Sequence, residues 1–340
     1  MSNRSWSRGR GSRRLVALSG AMLMLGLGLA ACGDDTERVT VGLITKQEDN
    51  PFWVTMREVA QDTADDNNVE LLTATGESDV DVDAQVDALE QMTEDGADGI
   101  LIAPTDSEAV VPAIDAAREE GVIVIAVDTP TDPESAVDAL FATDNFAAGE
   151  QVGQYARASA EEEGIEPAIA MLDLAPGIAS GQLRHDGFLE GFGITEDDPQ
   201  IRGSVDTEGD RDIGKAAMEE LLATDEDINI VYTVNEPVAF GAIDALEEAG
   251  TSMADVIVVS VDGGCVAIKD GVRSGGIDAT AQQYPENMAR EGVVAIAEAV
   301  RGGTEPSGYL DTGLRLITDD AVADVPSEDV PFGVRNYWGD

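Results

Sequence analysis

The sequence predicts an α/β protein built from two lobes, each a doubly wound parallel sheet. Short apolar runs alternate with segments in which apolar residues recur at helical spacing. This alternation occurs twice along the chain, and 340 residues are enough for roughly two domains of ~150 residues. Several runs are also rich in β-branched residues, as expected for strands that helices cover on both faces.

Four strands are predicted in the first half of the chain. They cover residues 39–44, 69–72, 99–103 and 122–127. The last run is nearly all β-branched, so we expect it to be buried on both faces of its sheet. Helices are predicted between these strands from apolar spacing. The first of these helices begins at Asn50-Pro51-Phe52-Trp53. The second carries Val82, Val86 and Leu89 at helical spacing, and the third carries Val110, Ile114 and Ala117.

The second half repeats the pattern. Strands are predicted at 168–172, 228–233, 256–261 and 277–281. Helices are predicted near 182–193, 211–223, 236–249 and 285–301. Right-handed crossovers bring the loops that follow parallel strands to one edge of each sheet, and ligands bind at that edge.

Polar side chains follow several of the predicted strands. Those at or soon after a strand end are Asn50, Asp128, Asn235, Asp262 and Gln283. Any one of them could instead cap a helix or form an Asx turn. Five at equivalent positions favour a polar ligand held between two sheet edges.

The charge balance excludes several classes of function. The chain has 68 acidic and 20 basic residues, a formal net charge of −48. Such a surface repels nucleic acids and anionic membrane surfaces. A single histidine and two cysteines exclude most histidine-based metal sites, cysteine-rich zinc sites and a disulfide framework. The acidity fits a high-salt habitat, in which case the protein should melt at a higher temperature in molar salt than in low salt.

The first residues look like an export signal. Residues 1–14 carry five arginines and no acid, and 15–31 are largely apolar. Leu29-Ala30-Ala31-Cys32-Gly33 resembles the lipobox of bacterial lipoproteins, which implies a signal peptide at 1–31, lipidation of Cys32 and a tether at 32–37. Arg13-Arg14 resembles a twin-arginine signal, so the export route, Sec or twin-arginine, stays open. An uncleaved membrane anchor is the alternative. Cleavage would leave 15 basic against 68 acidic residues, a net charge of −53.

From residue 38 onwards, the chain resembles the periplasmic sugar-binding proteins of the ribose-binding cluster, the substrate-binding components of ABC importers. The motifs that carry the resemblance are Asn50-Pro51-Phe52-Trp53, Ile102-Ala103-Pro104-Thr105-Asp106, Val127-Asp128-Thr129, Arg184-His185-Asp186-Gly187-Phe188, Val234-Asn235-Glu236-Pro237, Val261-Asp262-Gly263-Gly264 and Gln283-Tyr284-Pro285. Asp262-Gly263-Gly264-Cys265 and the ending near Asn336-Tyr337-Trp338-Gly339 are most similar to the fructose-binding branch.

The resemblance implies a type I periplasmic binding protein, with two lobes joined by a three-segment hinge. The implied first lobe is 38–142 plus 284–311, and the second is 143–283 plus 312–340. A monosaccharide, fructose-like or another pentose or hexose, would bind between the lobes. The implied protein is a monomer with no enzymatic activity, cofactor or metal. Its partners would be the transmembrane subunits of an ABC permease and, through the lipid anchor, the cell membrane.

The resemblance also assigns ligand contacts. Asn50 and Asp128 would come from the first lobe, with Phe52 and Trp53 as aromatic faces. Arg184, Asn235, Asp262 and Gln283 would come from the second lobe or the hinge. These types suit a sugar, since carboxylates accept hydrogen bonds from hydroxyls, arginine donates to them and amides do both. For Phe52 and Trp53, burial in the core is the alternative.

Two departures from the family pattern bear on the ligand. Relatives that bind ribose carry arginine where Thr129 stands, and an aromatic residue where Gly209 stands, two before Arg211. A different or larger sugar than ribose is therefore implied. Lys46 is placed to reach the ligand instead, although a solvent-facing lysine is the alternative.

Other patterns are weaker. Residues 79–90 space acidic groups as a calcium loop does, but Ala84 stands where glycine is required. We expect His185 to pack beside Arg184, and Cys265 to be a small residue at a helix start. Two functional alternatives remain. One is a sugar sensor for a chemoreceptor or kinase, and the other is a secreted glycosidase that uses two cleft carboxylates.

Overall fold

The computed structural model describes residues 38–339. The predicted signal peptide (1–31), the tether (32–37) and Cys32 lie outside the described residues. Two six-stranded sheets form the framework, which confirms the predicted fold class.

The first sheet has the strand order β11-β5-β4-β3-β1-β2, and its neighbouring strands all pair in parallel. Its strands are β1 (Val39–Thr45), β2 (Val69–Thr75), β3 (Gly99–Ile102), β4 (Ile123–Val127), β5 (Ala139–Ala142) and β11 (Gly308–Asp311). Alternate residues of β4 enter different core clusters: Ile125 packs with Trp53, and Val124 packs with Ile114. The sheet is therefore covered on both faces.

The second sheet has the order β12-β10-β9-β8-β6-β7, and only the β10–β12 pair is antiparallel. Its strands are β6 (Ile169–Asp173), β7 (Ile201–Asp206), β8 (Ile230–Thr233), β9 (Ile257–Asp262), β10 (Ala279–Gln282) and β12 (Arg315–Thr318). The chain passes between the sheets after β5, after β10 and between β11 and β12. We call the parts around the two sheets the first lobe and the second lobe.

Nine α-helices lie within residues 38–339. They are α1 (Pro51–Asp66), α2 (Val82–Glu94), α3 (Val111–Glu119), α4 (Asn145–Glu163), α5 (Ala179–Phe192), α6 (Arg211–Thr224), α7 (Glu236–Ala249), α8 (Pro285–Val300) and α9 (Val330–Asn336). Sequence chemistry explains many of their ends. The Asn50 and Asn235 side chains cap the N-termini of α1 and α7. Gly164 and Gly193 end α4 and α5 in the left-handed conformation.

Helices α4 and α5 pack unusually closely. Gly149 and Gly153 of α4 face Gly187 and Gly191 of α5. A Cβ atom on Gly149 would lie 2.0 Å from the Arg184 carbonyl oxygen, and one on Gly187 would lie 2.1 Å from that of Phe146. Small residues at this crossing let the two backbones touch, and this fixes the position of Arg184.

The last described residues cross from one lobe to the other. Helix α9 packs on the second lobe, but Trp338 belongs to the core cluster of the first lobe, and its ring meets Phe52 edge-on at 5.3 Å. Its indole N–H donates to the Gln283 carbonyl (2.9 Å), and its carbonyl accepts from the Cys265 N–H (2.9 Å). The end of the predicted segment 312–340 therefore contacts both lobes.

Within residues 38–339, no helix combines the length and the apolarity needed to cross a bilayer.

Candidate functional site

A small cavity lies between the two lobes, at the ends of the strands. Five of its lining residues come from the first lobe and five from the second: Lys46, Phe52, Trp53, Asp79, Asp128, Leu174, Ser180, Arg184, Asn235 and Asp262. Its volume is about 20 Å³, close to the space that one water molecule requires. Any molecule much larger than water would fit only if the lobes separated.

The aromatic wall of the cavity comes from the first turn of α1. Phe52 and Trp53 are buried, and their rings meet edge-on with centroids 4.8 Å apart. Both also belong to the first-lobe core. Phe52 and Trp53 are therefore both part of the first-lobe core and part of the cavity wall.

Two carboxylates hold matching places at the cavity. Asp128 directly follows β4, and Asp262 ends β9, the third strand in each sheet order. Both are nearly inaccessible to solvent, and both have positive φ angles, 64° and 101°. Residues other than glycine rarely adopt this backbone region, and such conformations concentrate at binding sites.

Two cations lie beside these carboxylates, and one of them, Arg184, links the two lobes. Lys46 Nζ lies 3.5 Å from Asp128 Oδ2, and Arg184 Nη2 lies 3.5 Å from Asp128 Oδ1. Arg184 Nη1 also lies 3.8 Å from Asp262 Oδ1, so one guanidinium serves both lobes. Only 1% of Lys46 is exposed, which makes the solvent-facing alternative wrong.

Hydrogen bonds fix both cations. Arg184 donates from Nε to Asn145 Oδ1 (2.8 Å) and from Nη1 to the Val234 carbonyl (3.0 Å). Lys46 donates to Thr129 Oγ1 (2.9 Å). Thr129 in turn donates to Asp128 (2.7 Å) and pairs with Ser180 of the second lobe (2.7 Å). Thr129, which stands where ribose-binding relatives carry arginine, and Lys46 thus both contact Asp128 and each other.

The environment of Asp262 favours protonation. Burial raises the pKa of Asp262 to about 6, although Arg184 lowers it. Glu236 lies directly behind it, and its carboxylate accepts from the Gly264 (2.9 Å) and Ala267 (3.0 Å) N–H groups. Burial, together with the charge of Asp262, raises the pKa of Glu236 to about 7.

The structure brings seven of the nine predicted ligand-binding residues to the cavity. They are Lys46, Phe52, Trp53, Asp128, Arg184, Asn235 and Asp262. Asn50 is not among the lining residues, because its side chain caps α1 by accepting from the Phe52 N–H (2.9 Å). Gln283 lies behind Asp262 and donates to its Oδ1 (2.8 Å), so it positions that carboxylate.

Three further lining residues were not predicted: Asp79, Leu174 and Ser180. Asp79 follows β2 by a few residues, as Asn50 follows β1, so the strand-end rule could have found it. Leu174 directly follows β6, but apolar residues at strand ends carry no such signal. Ser180 lies in the first turn of α5, which was predicted three residues too late.

The calcium-like segment has other roles. In the described part of the chain, no group of three or more metal-ligating side chains could hold an ion. Asp81 caps α2 by accepting from the Ala84 N–H. The buried Gln85 donates to the Ala103 carbonyl (2.8 Å) and accepts from the Thr105 N–H (2.9 Å).

His185 lies next to the cavity but outside it. It lines a larger hollow of about 490 Å³ in the second lobe. Its Nδ1 meets Asp173 Oδ1 at 2.9 Å and its Nε2 meets Glu196 Oε2 at 2.6 Å. Burial lowers the pKa of the imidazole, but these carboxylates outweigh that effect and raise the pKa to about 9.

Comparisons with known proteins agree with this geometry. Residues 41–304 match the model of the periplasmic binding protein domain. A ribose import binding protein of Haemophilus influenzae is 30% identical, over 90% of this chain and 100% of its own length. A xylitol-binding protein of Mycolicibacterium smegmatis is 28% identical, over 93% of this chain and 89% of its own.

Among solved structures, an ABC transporter solute-binding protein of Agrobacterium vitis with bound D-fucose has the same fold. Its TM-score is 0.77 at 23% identity, over 88% of this chain and 100% of that chain. Both relatives are named as binding proteins and neither as an enzyme, in agreement with the expectation that this chain has no enzymatic activity. The chain belongs to the family of periplasmic binding proteins that includes the ribose import binding proteins.

Proposed function

We propose that this protein is the substrate-binding component of an ABC importer and that it binds a monosaccharide or a sugar alcohol between its lobes. The observation that carries the proposal is the buried chain Asp128–Arg184–Asp262, which spans both lobes beside two aromatic rings. The named relatives handle ribose and xylitol, and one neighbour holds D-fucose. A fructose-like ligand rests on the sequence motifs alone.

The residues suit the chemistry of a sugar. Phe52 and Trp53 would cover an apolar C–H face of the ligand. The carboxylates of Asp128 and Asp262 would accept hydrogen bonds from hydroxyl groups, and Arg184 and Lys46 would donate to them. In so small and buried a cavity, a wrong epimer leaves a buried group without a partner, and this makes each contact selective.

Closure of the lobes would report occupancy to the permease. The lobes also contact each other away from the Asp128–Arg184–Asp262 ion pairs. The Ser107 N–H donates to the Gly177 carbonyl (2.9 Å), and the Ala179 N–H donates to Ser107 Oγ (3.2 Å). A ligand that contacts both lobes binds the closed form more tightly and so shifts the population toward it.

We further propose that the protein works outside the cytoplasm as a monomer, anchored through a lipid on Cys32. The location and the anchor rest on the resemblance of residues 29–33 to a lipobox, and the monomeric state rests on the family resemblance alone. Metabolic labelling with a radioactive fatty acid should mark the wild type and leave Cys32→Ser unlabelled. Equal labelling of both would reject the anchor.

Isothermal titration calorimetry tests the binding function. Residues 33–340, which include all the described residues, would be refolded from denaturant to strip bound ligand and titrated at high salt. D-fructose, D-ribose, D-xylose, D-glucose, D-galactose, D-fucose, xylitol and myo-inositol form the panel. We expect saturable binding of at least one of them at micromolar concentration.

Two variants assign that binding to the cavity. Asp262→Ala should abolish it, whereas Asp270→Ala, the same change at an exposed site nearby, should leave it intact. Silence of a cooperatively folded wild type across the whole panel would reject a simple sugar or polyol as the ligand.

A further inference from the structure

Asp79 is a cavity residue to which neither the strand-end pattern nor the family resemblance assigns a role. It lies in the loop between β2 and α2, and only 3% of it is exposed. Its carboxylate lines the same cavity as Asp128 and Asp262.

One oxygen of this carboxylate is held in place, and the other is free to accept. Gln47 Nε2 donates to Oδ1 at 2.8 Å. Among residues 38–339, no hydrogen-bond donor reaches Oδ2, and no cation lies within 4.0 Å of the carboxylate. Burial raises the pKa of Asp79, although the nearby charge of Lys46 opposes this.

The charges around the cavity leave Asp79 unbalanced. The lining holds two cations and three carboxylates. Lys46 pairs with Asp128, and Arg184 lies between Asp128 and Asp262. A buried carboxylate without a partner is unfavourable, so Asp79 Oδ2 is suited to receive a hydrogen bond from a bound molecule.

The opposite lobe approaches this oxygen closely at Gly209, whose carbonyl also accepts a hydrogen bond from Asn235 Nδ2 (3.1 Å). Gly209, after β7, has a φ of +70°, and a Cβ atom there would lie 3.0 Å from Asp79 Oδ2 and 2.9 Å from Asn235 Nδ2. The glycine therefore brings an acceptor of one lobe and an amide donor of the other to one end of the cavity. A hydroxyl group matches this pair, because it can donate to the carboxylate and accept from the amide.

We propose that Asp79 is a ligand-contacting residue that determines specificity, with its Oδ2 accepting a hydrogen bond from one hydroxyl group of the bound sugar or sugar alcohol. The inference rests on the proposed function and adds one contact to it. It also disfavours ligands that carry a carboxylate or phosphate at that position, because the two anions would repel each other in a buried space.

A double-mutant cycle between protein and ligand tests the contact. The probes are D-ribose, D-fructose and xylitol, whichever binds, together with the monodeoxy analogues of that compound. Asp79→Ala should weaken binding of the parent compound about 10- to 100-fold, the range for a hydrogen bond to a charged group. For the single analogue that lacks the contacting hydroxyl, Asp79→Ala should bind at least as tightly as the wild type, because the wild type then leaves Asp79 without a partner.

Control variants separate this role from a structural one. Asp83→Ala, the same change at an exposed position four residues away, should leave affinity unchanged. Asp79→Asn keeps the shape and should cause a smaller loss, because an amide still forms a neutral hydrogen bond. If Asp79→Ala fails to fold, the same cycle is measured with Asp79→Asn.

Three outcomes are decisive. Loss of discrimination against one deoxy analogue supports the contact. Unchanged affinity of the variants, or weakening of every analogue by the same factor, overturns it while the proposed function stands. A wild type that binds none of the three probes or any other compound of the sugar panel overturns both proposals.

Discussion

Asp128 in the first lobe and Asp262 in the second hold matching places, yet their surroundings differ. Asp128 faces two cations, Lys46 and Arg184. Asp262 has only one cation nearby, Arg184, which lies 3.8 Å away compared with 3.5 Å from Asp128. A second buried acid, Glu236, lies behind Asp262. Matching backbone positions therefore do not imply matching electrostatics. The first-lobe carboxylate is neutralised by cations, and the second-lobe one belongs to an acid pair that responds to pH.

Removal of the shared cation should have the largest effect. Arg184→Ala leaves Asp262 without a cation and Asp128 with Lys46 alone. We expect a loss of about 3–5 kcal/mol in the free energy of unfolding, the usual result of breaking a buried ion pair, and no measurable sugar binding. Urea denaturation and calorimetry measure the two effects.

The control is Arg211→Ala, which removes an exposed ion pair with Asp244 and should lose less than about 1 kcal/mol. If Arg184→Ala bound sugar as the wild type does, the two carboxylates would not depend on a common cation.

The acid pair should make stability depend on pH. The pKa of Glu236 is raised from 4.5 to about 7, so its contribution to stability is fully present below pH 4.5 and is lost as the pH rises through 7. The loss should be on the order of 3 kcal/mol. Urea denaturation at pH 5, 6, 7 and 8 should show this decline in the wild type and a flatter profile in Glu236→Gln. Parallel profiles would contradict the assignment to Glu236.

The packing of α4 on α5 holds Arg184 in place. Disturbing this packing should lower the free energy of unfolding of the second lobe. Alanine is normally favoured over glycine within a helix by about 1 kcal/mol. At Gly149, however, the new Cβ would collide with the Arg184 carbonyl. Gly149→Ala should therefore lose about 1–3 kcal/mol.

As a control, Ala158→Gly at a half-buried position of the same helix should lose up to about 1 kcal/mol. Thermal and urea denaturation distinguish the two variants. A Gly149→Ala variant more stable than the wild type would show that the helices have room to separate.

His185 should add a smaller effect, also in the second lobe. Its folded pKa of about 9 lies above the ordinary 6.5, so its contribution is present below pH 6.5 and is lost as the pH rises through 9. The loss should be about 1–2 kcal/mol, because Glu196 is largely exposed and solvent screens it.

The chain has one histidine, so its imidazole NMR signals titrate without overlap from any other. A midpoint near 6.5 would contradict the paired state of His185. His185→Gln should flatten the stability profile between pH 6.5 and 9.

Eight of the twelve strands in residues 38–339 were predicted from sequence, including the outer strand β2, whereas the short internal strand β5 and the outer strands β7, β11 and β12 were missed. Runs such as 122–127 are nearly all β-branched because helices cover them on both faces. The outer strand β7 alternates between half-buried and exposed residues, and β11 is exposed along its length, so neither forms an apolar run. Helix α4 was missed because its packing face is glycine and alanine, which carry little apolar signal.

The strand-end pattern likewise predicted some of the site residues correctly and others not. Asp128, Asn235 and Asp262 follow from their places at strand ends. Asn50 and Gln283 share that pattern, but α1 needs a cap and Asp262 needs a donor behind it. Asp79 follows β2 as Asn50 follows β1, but it was overlooked because its segment carries acidic residues at the spacing of a calcium loop. The lipid anchor at Cys32 remains a prediction.

Trp338 has one practical consequence. Residues 33–340 contain two tryptophans, Trp53 and Trp338. Trp53 lines the cavity with Lys46 Nζ 5.5 Å from its ring centroid, and Trp338 rests on Phe52 where the lobes meet. Every indole in that part of the chain therefore lies where separation of the lobes changes its surroundings. The protein carries its own fluorescent reporter of opening and closing, and no dye need be attached to follow it.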